Sequence, residues 1–425
     1  MPFRVNCPRQ SGRHTAPPLR PARPIYDPMH PKDLKNSFPR WLILMGLLSA
    51  LGPLAIDMYL PAFPSMVQDL GTTQGQVERT LASYLLGLAA AQLFYGPFAD
   101  RFGRKKPLIM GLIIFTIASI GCALASDIDH LIGWRIAQAF GGAAGMVIPR
   151  AVIRDNYETR DAAKALSLLI LILGVTPILA PILGGQVLVF GSWRGIFGIM
   201  ALVGLLLLVA VMRTMRETLP PEHAVALRFR TIGRNYLDLL RDKQFMSYSL
   251  AGGFGTAGLF SYIAGSPRVF MEIYQVDPKY FGLLFGINAA ALIFASQVSA
   301  RLLNQHAPED ILGKAQLGIV VMSLLGLALT LLGGLNLTLL MLCLMGFMGS
   351  QGFIGPNAAA LALTHQGKRL GVASALMGTL QMLCGALAGV TISLWQSDTP
   401  LPLTGVLAIS ASLSWLFGRI ASRAT

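Results

Sequence analysis

Two oppositely charged side chains lie inside otherwise apolar stretches of the chain. Asp57 falls in Leu-Ala-Ile-Asp-Met-Tyr-Leu-Pro-Ala-Phe-Pro, and Arg135 in Leu-Ile-Gly-Trp-Arg-Ile-Ala-Gln-Ala-Phe-Gly-Gly. A carboxylate surrounded by apolar chain is costly unless it is paired, hydrated or protonated, so it marks a functional position by default. Pro61 and Pro64 should end the first helix, which puts Asp57 ~6 to 10 Å below that end. Arg135 comes six residues after Asp129, ~9 Å below the same surface. Matching depth predicts that the two face each other. Low dielectric favours a neutral carboxyl and a nearby guanidinium favours the ionised form, so separating the pair would take up or release a proton. The plainer alternative is an ion pair that only fixes helix packing. No other acidic residue is expected well inside an apolar run, which singles out Asp57 as the proton site.

The elements that position these residues follow from composition. The 425 residues are 54% hydrophobic and 13% charged, with a mean hydropathy of +0.59, far from a soluble domain. The net charge of +14 could suggest nucleic acid, yet Lys and Arg recur between apolar runs rather than forming one patch. Twelve runs are long enough to cross a ~30 Å hydrocarbon core: 41 to 62, 77 to 97, 107 to 126, 130 to 150, 166 to 189, 194 to 213, 245 to 266, 279 to 302, 312 to 334, 336 to 363, 371 to 395 and 400 to 419. If both termini are cytoplasmic, inside segments hold 29 of the 34 Lys and Arg, and the outside holds Arg79, Arg194, Arg268 and Lys279. That bias predicts the orientation.

Residues 1–40, with nine prolines and eight Lys or Arg, are expected to be a disordered cytoplasmic tail. Met29 is a second candidate start. Residues 41–213 and 245–419 form the expected six-helix halves, 214–244 the cytoplasmic linker and 420–425 a short tail. Cys7, Cys122, Cys343 and Cys384 lie far apart without metal-like spacing, and read as small packing residues. No Gly-x-x-x-x-Gly-Lys-Ser/Thr loop occurs, which argues against an ATP-driven pump.

Between the second and third runs lies a dense charged turn, Gly96-Pro-Phe-Ala-Asp100-Arg101-Phe-Gly103-Arg104-Lys-Lys-Pro107. It resembles the signature loop of the major facilitator superfamily, G-x-x-x-D-R-x-G-R-K/R-x, with every charged position filled. The sequence from Arg135 to Gln138 resembles that superfamily's R-x-x-Q-G pattern, with Ala139 in place of Gly. The fifth run, Gly174-Val-Thr-Pro177-Ile-Leu-Ala-Pro181-Ile-Leu-Gly184-Gly185, resembles the antiporter signature G-P-x-x-G-G, with Ala180 where Gly is commoner. Asp-Met-Tyr-Leu-Pro in the first run, Ile-Pro-Arg-Ala-Val-Ile-Arg-Asp at 148–155, and the stretches 352–363 and 371–382 look like the bicyclomycin and chloramphenicol resistance (Bcr/CflA) branch. The resemblance covers residues 41–419.

It implies an all-α polytopic membrane protein of the major facilitator fold, its twelve helices in two six-helix halves. It further implies a proton-driven exporter of small drugs in a bacterial inner membrane. Asp57, Arg135 and Gln138 would couple protons, and the kinked, Gly-rich fifth helix would support the exchange. Asp100 reads as a latch, docking on a helix N-terminus near Gly371 when the protein is open to the outside, with Arg150 and Arg154 as other partners. Tyr59, Tyr84, Phe254, Tyr262, Asn288, Asn357 and Gln381 are the candidate substrate contacts, in a mostly apolar cavity suited to an amphipathic molecule. The expected partners are the lipid bilayer and that substrate, not nucleic acid; the chain is expected to work as a monomer, with the proton as coupling ion and no cofactor or metal. It is not expected to be an enzyme. Export of a natural metabolite such as an amino acid, or a membrane sensor or scaffold that transports nothing, are the alternative readings.

Overall fold

Hydrocarbon offers no hydrogen-bond partners, so a long apolar run can cross it only by satisfying its own backbone as a helix. The computed structural model describes residues 40–157, 159–219, 229–364, 366 and 370–424. The expected disordered tail and the middle of the linker lie outside these residues.

The first half comprises α1 (Arg40–Asp57), α2 (Phe63–Asp69), α3 (Gln74–Phe102), α4 (Lys105–Ala123), α5 (Ile128–Asn156), α6 (Thr159–Phe190) and α7 (Trp193–Thr214). After α8 (Phe229–Arg241) come α9 (Lys243–Pro267), α10 (Pro278–Leu302), α11 (Pro308–Leu331), α12 (Leu337–Leu363), α13 (Leu370–Leu394) and α14 (Leu401–Ala424). The short α1 and α2 make one crossing, joined by a tight turn at Leu60–Ala62. With α8 set aside, the crossings number twelve.

Eleven of them are long and apolar enough to span a membrane by length and composition alone. The twelfth, α9, is rich in Gly and Ser, and most of its residues are buried. It packs against α12, α13 and α14. A helix enclosed by protein needs small residues for close approach rather than a lipid-facing surface. Large apolar side chains such as Leu124, Phe190, Phe294 and Leu332 point outward elsewhere. Those faces meet the lipid bilayer.

Three features depart from the sequence reading. The linker contains a helix, α8, which packs on α9 and α13. The first crossing continues past the prolines to Asp69, so Asp57 sits at an internal break in the span rather than near its end. Pro61 and Pro64 fall at first-turn positions of the tight turn and of α2, where a missing N–H is harmless, so they start new turns instead of ending the crossing. The second crossing starts at Gln74 rather than 77, and Glu78, at the very edge of the expected run, lies a turn inside the helix and fully buried.

Each half packs around a central pair. In the first, α1 lies against α5 and α6, and α5 against α3 and α4; in the second, α9 and α12 hold the centre. The halves meet along two seams, α3 with α13 and α6 with α10. In the first seam Thr379 Oγ1 donates to the Ala89 carbonyl at 3.2 Å, and a Cβ on Gly389 would lie 3.4 Å from that of Ala82. In the second, Gly174 faces Ile293, Gly286 faces Ile178 and Gly282 abuts the Ile182 backbone. These contacts run from the middle of the bundle to the end opposite the charged turn. Nearer the charged turn on the same helices, Gly96 and Gly371 face open space.

Candidate transport and coupling site

The break after α1 places Asp57 against both halves, because the turn that follows contacts α6, α9 and α10. Asp57 is 2% exposed and its Oδ1 has no hydrogen-bond partner. An ionised Asp57 would act on Tyr84 in its own half and on Tyr262 in the other.

Arg135 is fully buried on α5. Its Nη1 donates to the Ala55 carbonyl at 3.0 Å and to Gln138 Oε1 at 2.6 Å, while Nε and Nη2 have no hydrogen-bond partner. The guanidinium is held between aromatic rings, 4.4 Å from the centroid of Tyr59 and 4.2 Å from that of Tyr84, with Phe197 at 5.8 Å. Ring faces carry the negative end of a quadrupole and so stabilise a cation in a dry interior. Gln138 fixes the arrangement by donating to Ser119 Oγ at 2.8 Å. Arg135 and Asp57 therefore share a depth, as the Ala55 contact shows, but no ion pair joins them here. The expected partner is instead stacked on tyrosines and bonded to backbone. The first half thus buries a carboxyl on α1 and a guanidinium on α5, each with unused hydrogen-bonding capacity and neither neutralising the other.

The other predicted residues fall into separate clusters. Tyr59 and Tyr84 belong to the arginine cage, and Tyr59 Oη lies 3.1 Å from Thr80 Oγ1. Tyr262 stacks on Phe285 at 5.1 Å and accepts from Asn288 Nδ2 at 3.1 Å, across the seam from Asp57. Asn288 Oδ1 has no partner. Asn357, also fully buried, donates to Ser299 Oγ at 2.8 Å, nearer the charged turn's end. Phe254 stacks on Phe417 at 5.5 Å, and Gln381 lies beside Gly252. Asn357, Phe254 and Gln381 are thus tied into the second half and do not join the Asp57 group.

On α6, Gly184 and Gly185 face different neighbours. A Cβ on Gly184 would collide with the Met58 carbonyl, next to Asp57, while one on Gly185 would rest 3.4 Å from the Pro278 carbonyl of α10. Pro177 and Pro181 lie between these glycines and Gly174. Through this stripe α6 touches the helix that carries Asp57 and the opposite half at once.

The charged turn is tied into the first half. Gly103 adopts φ +85° between α3 and α4, a left-handed conformation that favours glycine. Glu217, just beyond α7, accepts from the Arg104 and Lys105 backbone N–H groups at 2.7 and 3.1 Å, capping α4. Arg104 bridges Asp100 at 2.6 Å and Asp155 at 2.8 Å. Arg101 and Arg154 are exposed, as is Arg150 beside the open end. Asp155 and Glu217 were absent from the sequence expectation. Asp155 ends the quoted 148–155 stretch and could have been found there, whereas nothing local marks Glu217.

A family model described as Major Facilitator Superfamily matches residues 45–389. The chain belongs to the major facilitator superfamily. It is 35% identical to the uncharacterized MFS-type transporter YdgK of Bacillus subtilis, over 88% of this chain and 93% of that protein. It is 32% identical to the bicyclomycin resistance protein homolog of Haemophilus influenzae, over 89% of this chain and 95% of that one. A crystal structure of a bacterial homolog of the human lysosomal transporter Spinster, inward-facing and occupied, superposes with a TM-score of 0.71 at 16% identity, covering 91% of this chain and 97% of that one. That likeness bears on the fold, which is the twelve-helix, two-half architecture expected. The protein is a membrane transporter and not an enzyme.

Proposed function

We propose that this transporter exports small drug-like molecules from a bacterial cytoplasm across the inner membrane, in exchange for protons, with Asp57 as the proton-binding residue. The observation that carries the reading is the buried, unpaired Asp57 carboxyl at a helix break touching both halves. An ionised carboxylate there would be uncompensated, so this conformation suits a protonated Asp57. Arg135, which bonds to the Ala55 carbonyl one half-turn before Asp57, is the buried cation that a helix shift would bring to the ionised form. Proton loss and rearrangement of the seam then become one event, as alternating access requires. Similarity to a bicyclomycin resistance protein homolog supports the substrate class.

The concentration of Lys and Arg at the charged-turn end supports a cytoplasmic location for that end and for both termini. On that orientation the closed seams face the periplasm, and substrate enters between the halves from inside, where Gly96 and Gly371 face open space. Arg104 binds Asp100 within the first half here. Asp100 would be released to dock near Gly371 only when the cytoplasmic side closes.

The test is drug-induced proton movement in everted vesicles, using bicyclomycin and chloramphenicol as probes. Wild type should release protons from the vesicle lumen on drug addition, and Asp57→Asn, inserted at the same level, should not. Full coupled transport by Asp57→Asn would remove Asp57 from the mechanism.

A further inference from the structure

Glu78 is a second buried carboxylate that the scheme above leaves unused. It lies on α3, about one turn from its start, with 0% exposure. It belongs to the seam between the halves at the end opposite the charged turn. Its Oε2 accepts from Gln396 Nε2, just beyond α13 of the second half, at 3.4 Å. Its Oε1 accepts no well-formed hydrogen bond, with the Gln74 amide beside it on α3. Gly75, on the same turn, lets α3 approach so closely that a Cβ would strike the Ser393 carbonyl.

The charges facing Glu78 do not neutralise it. Arg268, after α9, is the cation within its reach, but it already donates to Gln396 and lies 3.7 Å from Glu272 and 3.9 Å from Asp398. One cation therefore faces two other carboxylates before Glu78 is counted. Asp69, at the end of α2, is taken up by Arg194 and Trp193, and Arg79 points outward. A cavity of about 20 Å³ lies against Glu78, Arg268, Trp395 and Ser397, room for one water molecule.

We propose that Glu78 is a second proton-binding site, a gate that closes this end of the transporter when protonated. With the seam closed, an ionised Glu78 would be buried without a counter-charge. Closure therefore requires that the carboxylate first take a proton from hydronium in the aqueous phase on this side, forming the O–H bond and leaving a water. When α3 and α13 part, water reaches the carboxyl, and the proton returns to the same aqueous phase. The proton binds and leaves on one side, so Glu78 sets the conformational balance while Asp57 carries the coupling proton. This inference rests on the alternating-access reading.

Spin labels on cysteines introduced at Ser126 and Gly334, exposed at this end in opposite halves, report the gap by pulsed electron resonance in reconstituted protein. In wild type, lowering the pH should shift the distances toward the closed population. Glu78→Gln, a neutral mimic of the protonated residue, should raise the closed population at high pH and shift clearly less than wild type, and Asp57→Asn should keep the part of the shift that Glu78 sets. A pH response in Glu78→Gln equal to wild type would overturn the gate. So would a wild type that ignores pH yet moves when chloramphenicol is added, an outcome that leaves the antiport reading intact. Distances unmoved by either would overturn both.

Discussion

Arg135 shows what a guanidinium can do that an ammonium cannot. Its planar group lies between Tyr59 and Tyr84 while one edge reaches Ala55 and Gln138. Lysine would retain the charge but lose the flat stacking surface and the forked donors. Arg135→Lys should lower drug-dependent proton movement by at least about tenfold. It should also weaken the first half by about 1 to 2 kcal/mol, the range for a desolvated cation–π contact. Transport in vesicles and thermal unfolding in detergent measure the two effects separately. Wild-type transport in the lysine variant would show that only charge matters at this position.

At the scale of elements, α6 is the part of the bundle whose surface cannot be redrawn cheaply. Gly184 lies directly against the Met58 carbonyl, whereas Gly185 leaves ordinary contact distance to Pro278. Overpacking a tight helix contact costs about 1 to 3 kcal/mol. Gly184→Ala should therefore impair transport several-fold at normal membrane levels, while Gly185→Ala stays close to wild type. Equal effects at both positions would mean that the break beside Asp57 tolerates displacement of α6. The sequence marks both glycines alike, because a small-residue stripe says that helices approach without saying which neighbour each residue meets.

At the scale of the whole molecule, the closed end is held by contacts between residues roughly 300 positions apart in the chain, such as Ala82 with Gly389. Their Cβ separation, 3.4 Å once Gly389 is replaced, is close to that of a disulfide. The double variant Ala82→Cys, Gly389→Cys should form a crosslink under mild oxidation, stop transport, and recover it on reduction. Among the described residues the wild-type cysteines Cys122, Cys343 and Cys384 are buried, which limits competing reactions there, and the same background carries Cys7→Ser. Unimpaired transport by the crosslinked protein would mean that this seam does not open during the cycle.

The membrane class, the two halves, the charged turn and the burial of Asp57 and Arg135 were all legible in the sequence, because each depends on local composition or on a charge set in an apolar run. Tertiary structure decided the rest. Arg135 was expected opposite Asp57 but stacks on Tyr59 and Tyr84, since depth along a helix axis does not specify the face on which a side chain points. Glu217 caps α4 across more than a hundred residues of chain. Glu78, flanked by Gln74, Gln76 and Arg79, reads as the polar mouth of a helix, yet the opposite half covers it completely. Its burial depends on where α13 lies, and no stretch of sequence around Glu78 contains that information.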